Sequence, residues 1–190
     1  WVNQTLTQKS SNIVPDGQLA NYYIQNIIDS IRKSIAQENL YSALMVSLTV
    51  PDICVALEYG ETSGRKYSEW FEANLGYNGF LSGNDCYALR CSVLHQGIDD
   101  ISNQRMQDVL EHYVFLTEGF HRNLFRDCMI NGVKKSFLQL NTKKFCEDMC
   151  VAAEAWLTHN VDSTDVQNRL ANSFKIHEPG YTYMNVVRFR

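Results

Sequence analysis

The stretch LSGNDCYALRCSVLHQG, residues 81–97, is the most clearly bounded helix that the sequence predicts. Ser82 and Asp85 have capping-box spacing, which satisfies backbone N–H groups at the start of a helix. Gly97 stands where a glycine commonly ends a helix in the left-handed conformation. The pattern therefore predicts a helix over about residues 83–96, and this helix carries both Arg90 and His95.

Helical patterns extend through most of the remaining sequence. Apolar residues at helical spacing or in buried runs predict further helices over about residues 16–38, 40–57, 65–75, 142–159 and 164–173, with another starting at Ser102. Pro51 indicates that the run 40–57 is two helices meeting near that residue, because proline breaks a helix interior.

Residues 112–140 have a different pattern. HYVFLT, residues 112–117, is rich in aromatic and β-branched residues, and Asn131-Gly132 separates the apolar runs DCMI and VKKSFLQL. Asn-Gly between such runs is a strong hairpin signal. We therefore predict a mainly α fold, a helical bundle with a small antiparallel β-hairpin or sheet inserted around 112–140. We expect one domain over residues 1–190, with a loose arm at 1–13 and an irregular tail at 175–190.

The composition is that of a packed and slightly acidic protein. The 190 residues are 45% hydrophobic and carry a formal net charge of −4, so the molecule as a whole is not a cation that coats nucleic acid. Any RNA contact must come from a local patch. The apolar run 40–57 is interrupted by Pro51 and Asp52, so we expect it to be a core segment and expect no membrane contact.

The cysteines favour a reducing compartment. We recognise no secretory signal and no cysteine pair with zinc spacing, so we expect reduced thiols in a cytoplasmic protein and no metal site. The residues concerned are Cys54, Cys86, Cys91, Cys128, Cys146 and Cys150.

The sequence Arg90-Cys-Ser-Val-Leu-His95 resembles the Arg-x(4–6)-His signature of the HEPN superfamily, the higher eukaryotes and prokaryotes nucleotide-binding domains. The surrounding phrase ALRCSVLHQG, with a leucine before the arginine and a glycine after the histidine, adds to the resemblance. It implies a helical bundle that acts as a metal-independent, cofactor-free endoribonuclease, toxin-like or antiviral, in a homodimer with two motifs facing one cleft. RNA or a nucleotide would be the ligand, and a protein antitoxin a further partner.

One position departs from the family pattern. The family usually has Asn, Asp or His after the arginine, whereas this chain has Cys91, whose thiol is a weak hydrogen-bonding group. A non-catalytic HEPN-like module that binds a nucleotide or a protein is therefore the alternative reading.

Arg90 and His95 suit RNA cleavage on chemical grounds. RNA supplies its own nucleophile, the 2′-hydroxyl, and a histidine titrates in the range that proton transfer needs. An arginine fork is always charged and matches phosphate oxygens. Five positions at about 100° each place the two residues roughly 140° apart around a helix, so we predict a homodimer in which each cleft uses both copies.

Other readings of these residues stay open. Arg90 could pair with Asp85 or another carboxylate, and His95 could simply suit the helix C-terminus. Arg105 and His112 also satisfy the motif spacing. A carboxylate at Asp52 would be satisfied by backbone donors or by an arginine, with Arg90 as one candidate.

Residues 121–144 form a local basic segment, with six basic residues against one acid, Asp127. Such an excess, interleaved with phenylalanines, can attract phosphates and stack bases. The alternative is that lysines protect an exposed strand edge. The candidate nucleic-acid-binding residues are Arg122, Arg126, Lys134 and Lys135.

Overall fold

The computed structural model describes residues 16–77, 79–105, 108, 110–177, 179–180, 182–183 and 187–188. The predicted loose arm at 1–13 lies outside these residues. The described chain is mainly helical with a small sheet. Its helices are α1 (Asp16–Ala36), α2 (Leu40–Ser47), α3 (Val50–Tyr59), α4 (Gly64–Leu75), α5 (Gly83–Gln96), α6 (Thr142–Asn160) and α7 (Thr164–Ala171).

Helix α5 begins and ends where the sequence predicts. The Ser82 side chain accepts a hydrogen bond from the Asp85 backbone N–H, and Gly97 closes the helix with φ of +69°. The Gly83 N–H donates to the Glu72 carboxylate at 2.6 Å. A Cβ atom at Gly83 would lie 2.2 Å from the Ser68 carbonyl oxygen, so α4 and α5 touch there backbone to backbone. Glycine is required at this crossing because no side chain fits.

The predicted break near Pro51 is confirmed. Helix α2 ends at Ser47, and α3 begins at Val50 with the proline in its first turn, where the missing N–H costs nothing. Among the described residues, one segment, Leu40–Tyr59, has the length and the apolar composition that a membrane span needs. A soluble core helix passes the same test, and Leu48 and Cys54 are fully buried here.

The inserted sheet is mixed, so the prediction of an antiparallel sheet is wrong in part. Strands β1 (His112–Leu116), β2 (Asn123–Ile130) and β3 (Val133–Asn141) lie in the order β1-β3-β2. The β2–β3 hairpin is antiparallel and turns at Asn131-Gly132, both with positive φ, as predicted. Strand β3 inserts between β1 and β2, which run in opposite directions, and therefore pairs with β1 in parallel.

Residues 101–105 form turns, so the helix predicted to start at Ser102 is wrong. The Asp100 carboxylate accepts the Ser102 backbone N–H at 2.8 Å, and Asp100 makes a bridge to His112 of β1. A short side-chain turn at an aspartate competes with helix formation. Met106 and Val109, which a helix starting at Ser102 would include, lie outside the described residues.

The core lies between the helices and the inner face of the sheet. Tyr113, Leu138 and Leu140 of the sheet are buried with Phe145 of α6, and Ile28 of α1 belongs to the same buried cluster. In the tail, Thr182–Tyr183 and Val187–Arg188 pair as short antiparallel strands β4 and β5, so the tail is not wholly irregular.

The cysteines are free thiols. Four are buried, and burial raises the pKa of Cys86 to about 12 and that of Cys146 to about 11. Such thiols are protonated and unreactive near neutral pH.

Candidate functional site

Arg90 and His95 contact each other at the C-terminal end of α5. The Arg90 Nη1 and His95 Nε2 atoms are 3.0 Å apart. A guanidinium can only donate, so His95 Nε2 accepts this hydrogen bond and carries no proton in it. The two residues leave the helix about 140° apart, and the Arg90 side chain is long enough to reach His95 around it. The pair therefore forms within a single chain, without a second copy.

Asp52 fixes the other side of the Arg90 side chain. The Arg90 Nε donates to the Asp52 Oδ2 at 2.9 Å, and the two side chains are only 22% and 14% exposed. The Thr62 hydroxyl donates to the other Asp52 oxygen at 2.8 Å. Asp52 lies in the first turn of α3, where the helix favours a negative charge. Arg90 is thus the arginine partner that the sequence offered as one candidate for Asp52.

Asp85 is not the partner of Arg90. Its carboxylate accepts the Asp108 backbone N–H at 2.8 Å. The hypothesis that Arg90 pairs with a carboxylate is correct, but that carboxylate comes from α3 rather than from the same helix.

The pair is open to solvent on the histidine side. His95 is exposed, and Arg90 is partly exposed. A guanidinium has five N–H donors. The contacts with Asp52 and His95 use two of them, and Cys91 is a further hydrogen-bond partner. Donors therefore remain for an incoming anion.

Cys91 and Tyr87 border this arrangement on α5. Burial lowers the pKa of Arg90, but the Asp52 carboxylate and Cys91 outweigh it and raise the pKa above its ordinary value. Burial is also the main cause that raises the pKa of Tyr87, followed by Cys91. Near neutral pH the site therefore presents a cation beside a neutral phenol.

A cavity of about 300 Å³ lies alongside α5. Its lining residues are Tyr87, Ala88, Gln96, Asn103, Gln104 and Arg105. The lining combines one aromatic ring, three amides and one guanidinium.

The second pair that fits the motif spacing is not assembled. Arg105 lines the cavity beside α5, whereas His112 lies on β1, with its Nε2 2.7 Å from the Lys135 Nζ. The structure thus places these two residues on different elements.

The four candidate nucleic-acid-binding residues have different surroundings in the structure. Arg122 bonds the Asp148 carboxylate at 3.0 Å, and Arg126 lines a separate cavity that includes acidic side chains. Lys134 and Lys135 are consecutive on β3, so their side chains leave the strand on opposite sides.

Tyr77, His121 and Asp148 form a second polar cluster that sequence spacing did not predict. The Tyr77 hydroxyl donates to Asp148 at 2.6 Å, and His121 Nε2 lies 3.0 Å from that hydroxyl. His121 Nδ1 accepts the Asn141 backbone N–H at 3.2 Å. Arg122 stacks over the Tyr77 ring, 3.9 Å from its centroid. These residues are too far apart in sequence for any motif to join them.

Among the described residues, no group of three or more His, Cys, Asp or Glu side chains could hold a metal ion. Comparisons with protein-family models, curated proteins and solved structures gave no match.

Proposed function

We propose that this chain is a metal-independent endoribonuclease of the HEPN type, with Arg90 and His95 as its catalytic residues. The observation that carries the proposal is the 3.0 Å contact between an exposed imidazole and a guanidinium that Asp52 holds from behind. This arrangement provides a proton acceptor and a phosphate-binding cation side by side.

The reaction follows from the protonation of the pair. A phosphate takes the Arg90 N–H groups and releases His95 Nε2, which then accepts the proton of the RNA 2′-hydroxyl. The 2′-oxygen forms a bond to phosphorus, the bond from phosphorus to the 5′-oxygen breaks, and a 2′,3′-cyclic phosphate results. The leaving 5′-oxygen takes a proton from an imidazolium.

A homodimer provides a second imidazole, which serves as the proton donor. The attacking and leaving oxygens lie on opposite sides of phosphorus, and one imidazole serves both sides poorly. A second copy of His95 across a two-fold axis would protonate the leaving oxygen. The dimer is thus proposed for the chemistry, since Arg90 and His95 already meet within one chain.

The proposed setting is the cytoplasm, where the enzyme would act as a toxin-like or antiviral nuclease on RNA. A protein antitoxin would restrain it. The six free cysteines are compatible with a reducing compartment.

A non-catalytic HEPN-like module is the second candidate. Two observations favour this candidate. Arg90 is already bonded to Asp52, and Cys91 stands where the family has a stronger hydrogen-bonding residue. Such a module would bind a nucleotide or a protein through the same face without cleaving RNA.

Incubation of the purified chain with mixed RNA in EDTA separates the two candidates. The wild-type chain should release fragments with cyclic phosphate ends, and His95→Ala should lower the rate by about 100-fold or more. Arg90→Ala should lower it as well, through loss of phosphate binding.

His159→Ala is the matched control, since His159 is also an exposed histidine in the last turn of a helix. It should cut at the wild-type rate. Full activity in His95→Ala would refute the assignment, and nucleotide binding without any cleavage would favour the non-catalytic module.

A further inference from the structure

We infer that the cavity beside α5 binds one unpaired purine base of the RNA next to the cleaved phosphate. This inference rests on the proposed function and names the part of the substrate that the same site recognises. The cavity is the space of about 300 Å³ lined by Tyr87 and by the amides and guanidinium of the 96–105 segment.

The cavity and the catalytic histidine share one side of α5. Ala88 lines the cavity and lies seven positions before His95, a separation that falls about 20° short of two full helical turns. The two residues are therefore nearly aligned and about 10 Å apart along the helix axis. Gln96, the next residue after His95, also lines the cavity. A nucleotide whose phosphate contacts Arg90 and His95 can thus place a base there.

Tyr87 supplies the stacking surface. Its ring packs edge-on against Tyr67, with centroids 5.3 Å apart, and Tyr67 is fully buried. Tyr87 is itself only partly buried. A ring that is held by the core and reaches the surface is suited to stacking a base with little loss of entropy.

The polar lining suits the edge of a base. The Gln104 Nε2 donates to the Ser92 hydroxyl at 2.9 Å, and that hydroxyl donates to the Asp100 carbonyl oxygen at 3.1 Å. This chain of bonds fixes the Gln104 amide and leaves its oxygen as an acceptor. Asn103 and Gln96 are exposed amides at the rim.

The chemistry of the lining favours purines. Asn and Gln bond adenine through two atoms of its N6/N7 edge, and Arg bonds guanine through O6 and N7. Pyrimidines lack this edge. The volume lies at the lower end of the range for ligand pockets, which fits one base rather than two.

Titration of the full chain with the four ribonucleoside monophosphates tests the inference. AMP and GMP should bind several-fold more tightly than CMP and UMP. Tyr87→Leu and Arg105→Ala should each weaken purine binding by about tenfold, whereas Tyr87→Phe, which keeps the ring, should retain it. Equal affinity for all four nucleotides would overturn the inference.

Two features of the design separate a loss of purine binding from misfolding of the variant. Arg105 is exposed, so its replacement leaves the core intact. Arg65→Ala removes another exposed arginine, 86% exposed on α4, and should leave purine binding unchanged. Loss of binding in Arg65→Ala as large as that in Arg105→Ala would contradict the assignment.

The two proposals fail in different ways. If His95→Ala abolishes cleavage but Arg105→Ala and Tyr87→Leu change neither nucleotide affinity nor the base at the cut site, the purine pocket is wrong and the nuclease stands. If purines bind through Arg105 and Tyr87 but the wild-type chain cuts no RNA, the nuclease is wrong and the cavity stands only as a purine-binding site.

Discussion

Arg90 belongs to two networks at once. Its Nε–H is bonded to Asp52 of α3, and its Nη1 is bonded to His95 of its own helix. Asp52 therefore acts as a positioning residue, because it sets the plane in which the guanidinium meets the imidazole. A lysine in place of Arg90 has one ammonium group and could not serve both sides in this geometry.

His121 makes folding stability depend on pH. Burial lowers the pKa of His121 below its ordinary value of 6.5, and Arg122 and Lys144 lower it further, while Asp148 opposes them. As the pH falls through 6.5, the unfolded chain takes up a proton that the folded chain resists, so the folded state loses stability. We expect the urea midpoint of the wild-type chain to fall between pH 7 and pH 5.5. His121→Gln should show a shallower decline over the same range.

His159→Gln is the comparison for this measurement. His159 is exposed and lies outside the Tyr77, His121 and Asp148 cluster, so this variant shows whether replacing any histidine changes the pH profile in the same way. An identical pH slope in His121→Gln and the wild-type chain would rule out His121 as the source.

At the residue scale, the sequence identified the motif and one of its neighbours. Arg90 and His95 lie on one predicted helix, but helical spacing places them roughly 140° apart. Only the structure shows that the long Arg90 side chain reaches His95 within one chain. The sequence left the partner of Asp52 undecided, because Asp52 and Arg90 lie on different helices and meet only in the folded chain. Tyr77 and Asp148 are 71 residues apart, and no local pattern signals such a contact.

At the scale of elements, the crossing of α4 and α5 depends on Gly83. The Ser68 carbonyl oxygen would lie 2.2 Å from a Cβ atom at this position, and a backbone atom cannot turn aside. Gly83→Ala should therefore lower the free energy of unfolding by about 3 kcal/mol, measured by urea denaturation.

Gly76→Ala separates this clash from the cost of backbone strain. Gly76 has φ of +60°, and nothing lies within 4 Å of the added Cβ atom. This variant should cost only about 1 kcal/mol. If Gly83→Ala is no more destabilising than Gly76→Ala, the close crossing does not contribute as described.

Elements with local signals could be predicted, and those with distant partners could not. Helix α5 has its own caps, and the β2–β3 hairpin has its own turn at Asn131-Gly132. The pairing of β1 with β3 is parallel and joins segments about 25 residues apart, for which the sequence holds no adjacent marker. The turns at 101–105 are set by the Asp100 side chain, which overrides a helical pattern.

At the scale of the whole molecule, the proposed chemistry calls for two copies. Sedimentation equilibrium should give a mass about twice the 21.8 kDa of one chain, because a second His95 is needed for the leaving oxygen. His159→Ala should sediment in the same way. A mass near 21.8 kDa in a preparation that cleaves RNA would show that one chain is sufficient, and the dimer would be rejected.

The place of α1 in the bundle has a consequence for synthesis. Arg32 bonds the Glu147 carboxylate, 115 residues later in the chain, and α1 lies against α6 and α7. A ribosome needs on the order of ten seconds to add that many residues. Helix α2 is made directly after α1 and also packs against it, so part of the apolar surface of α1 is covered early. The part that α6 and α7 cover stays accessible to chaperones until those two helices emerge.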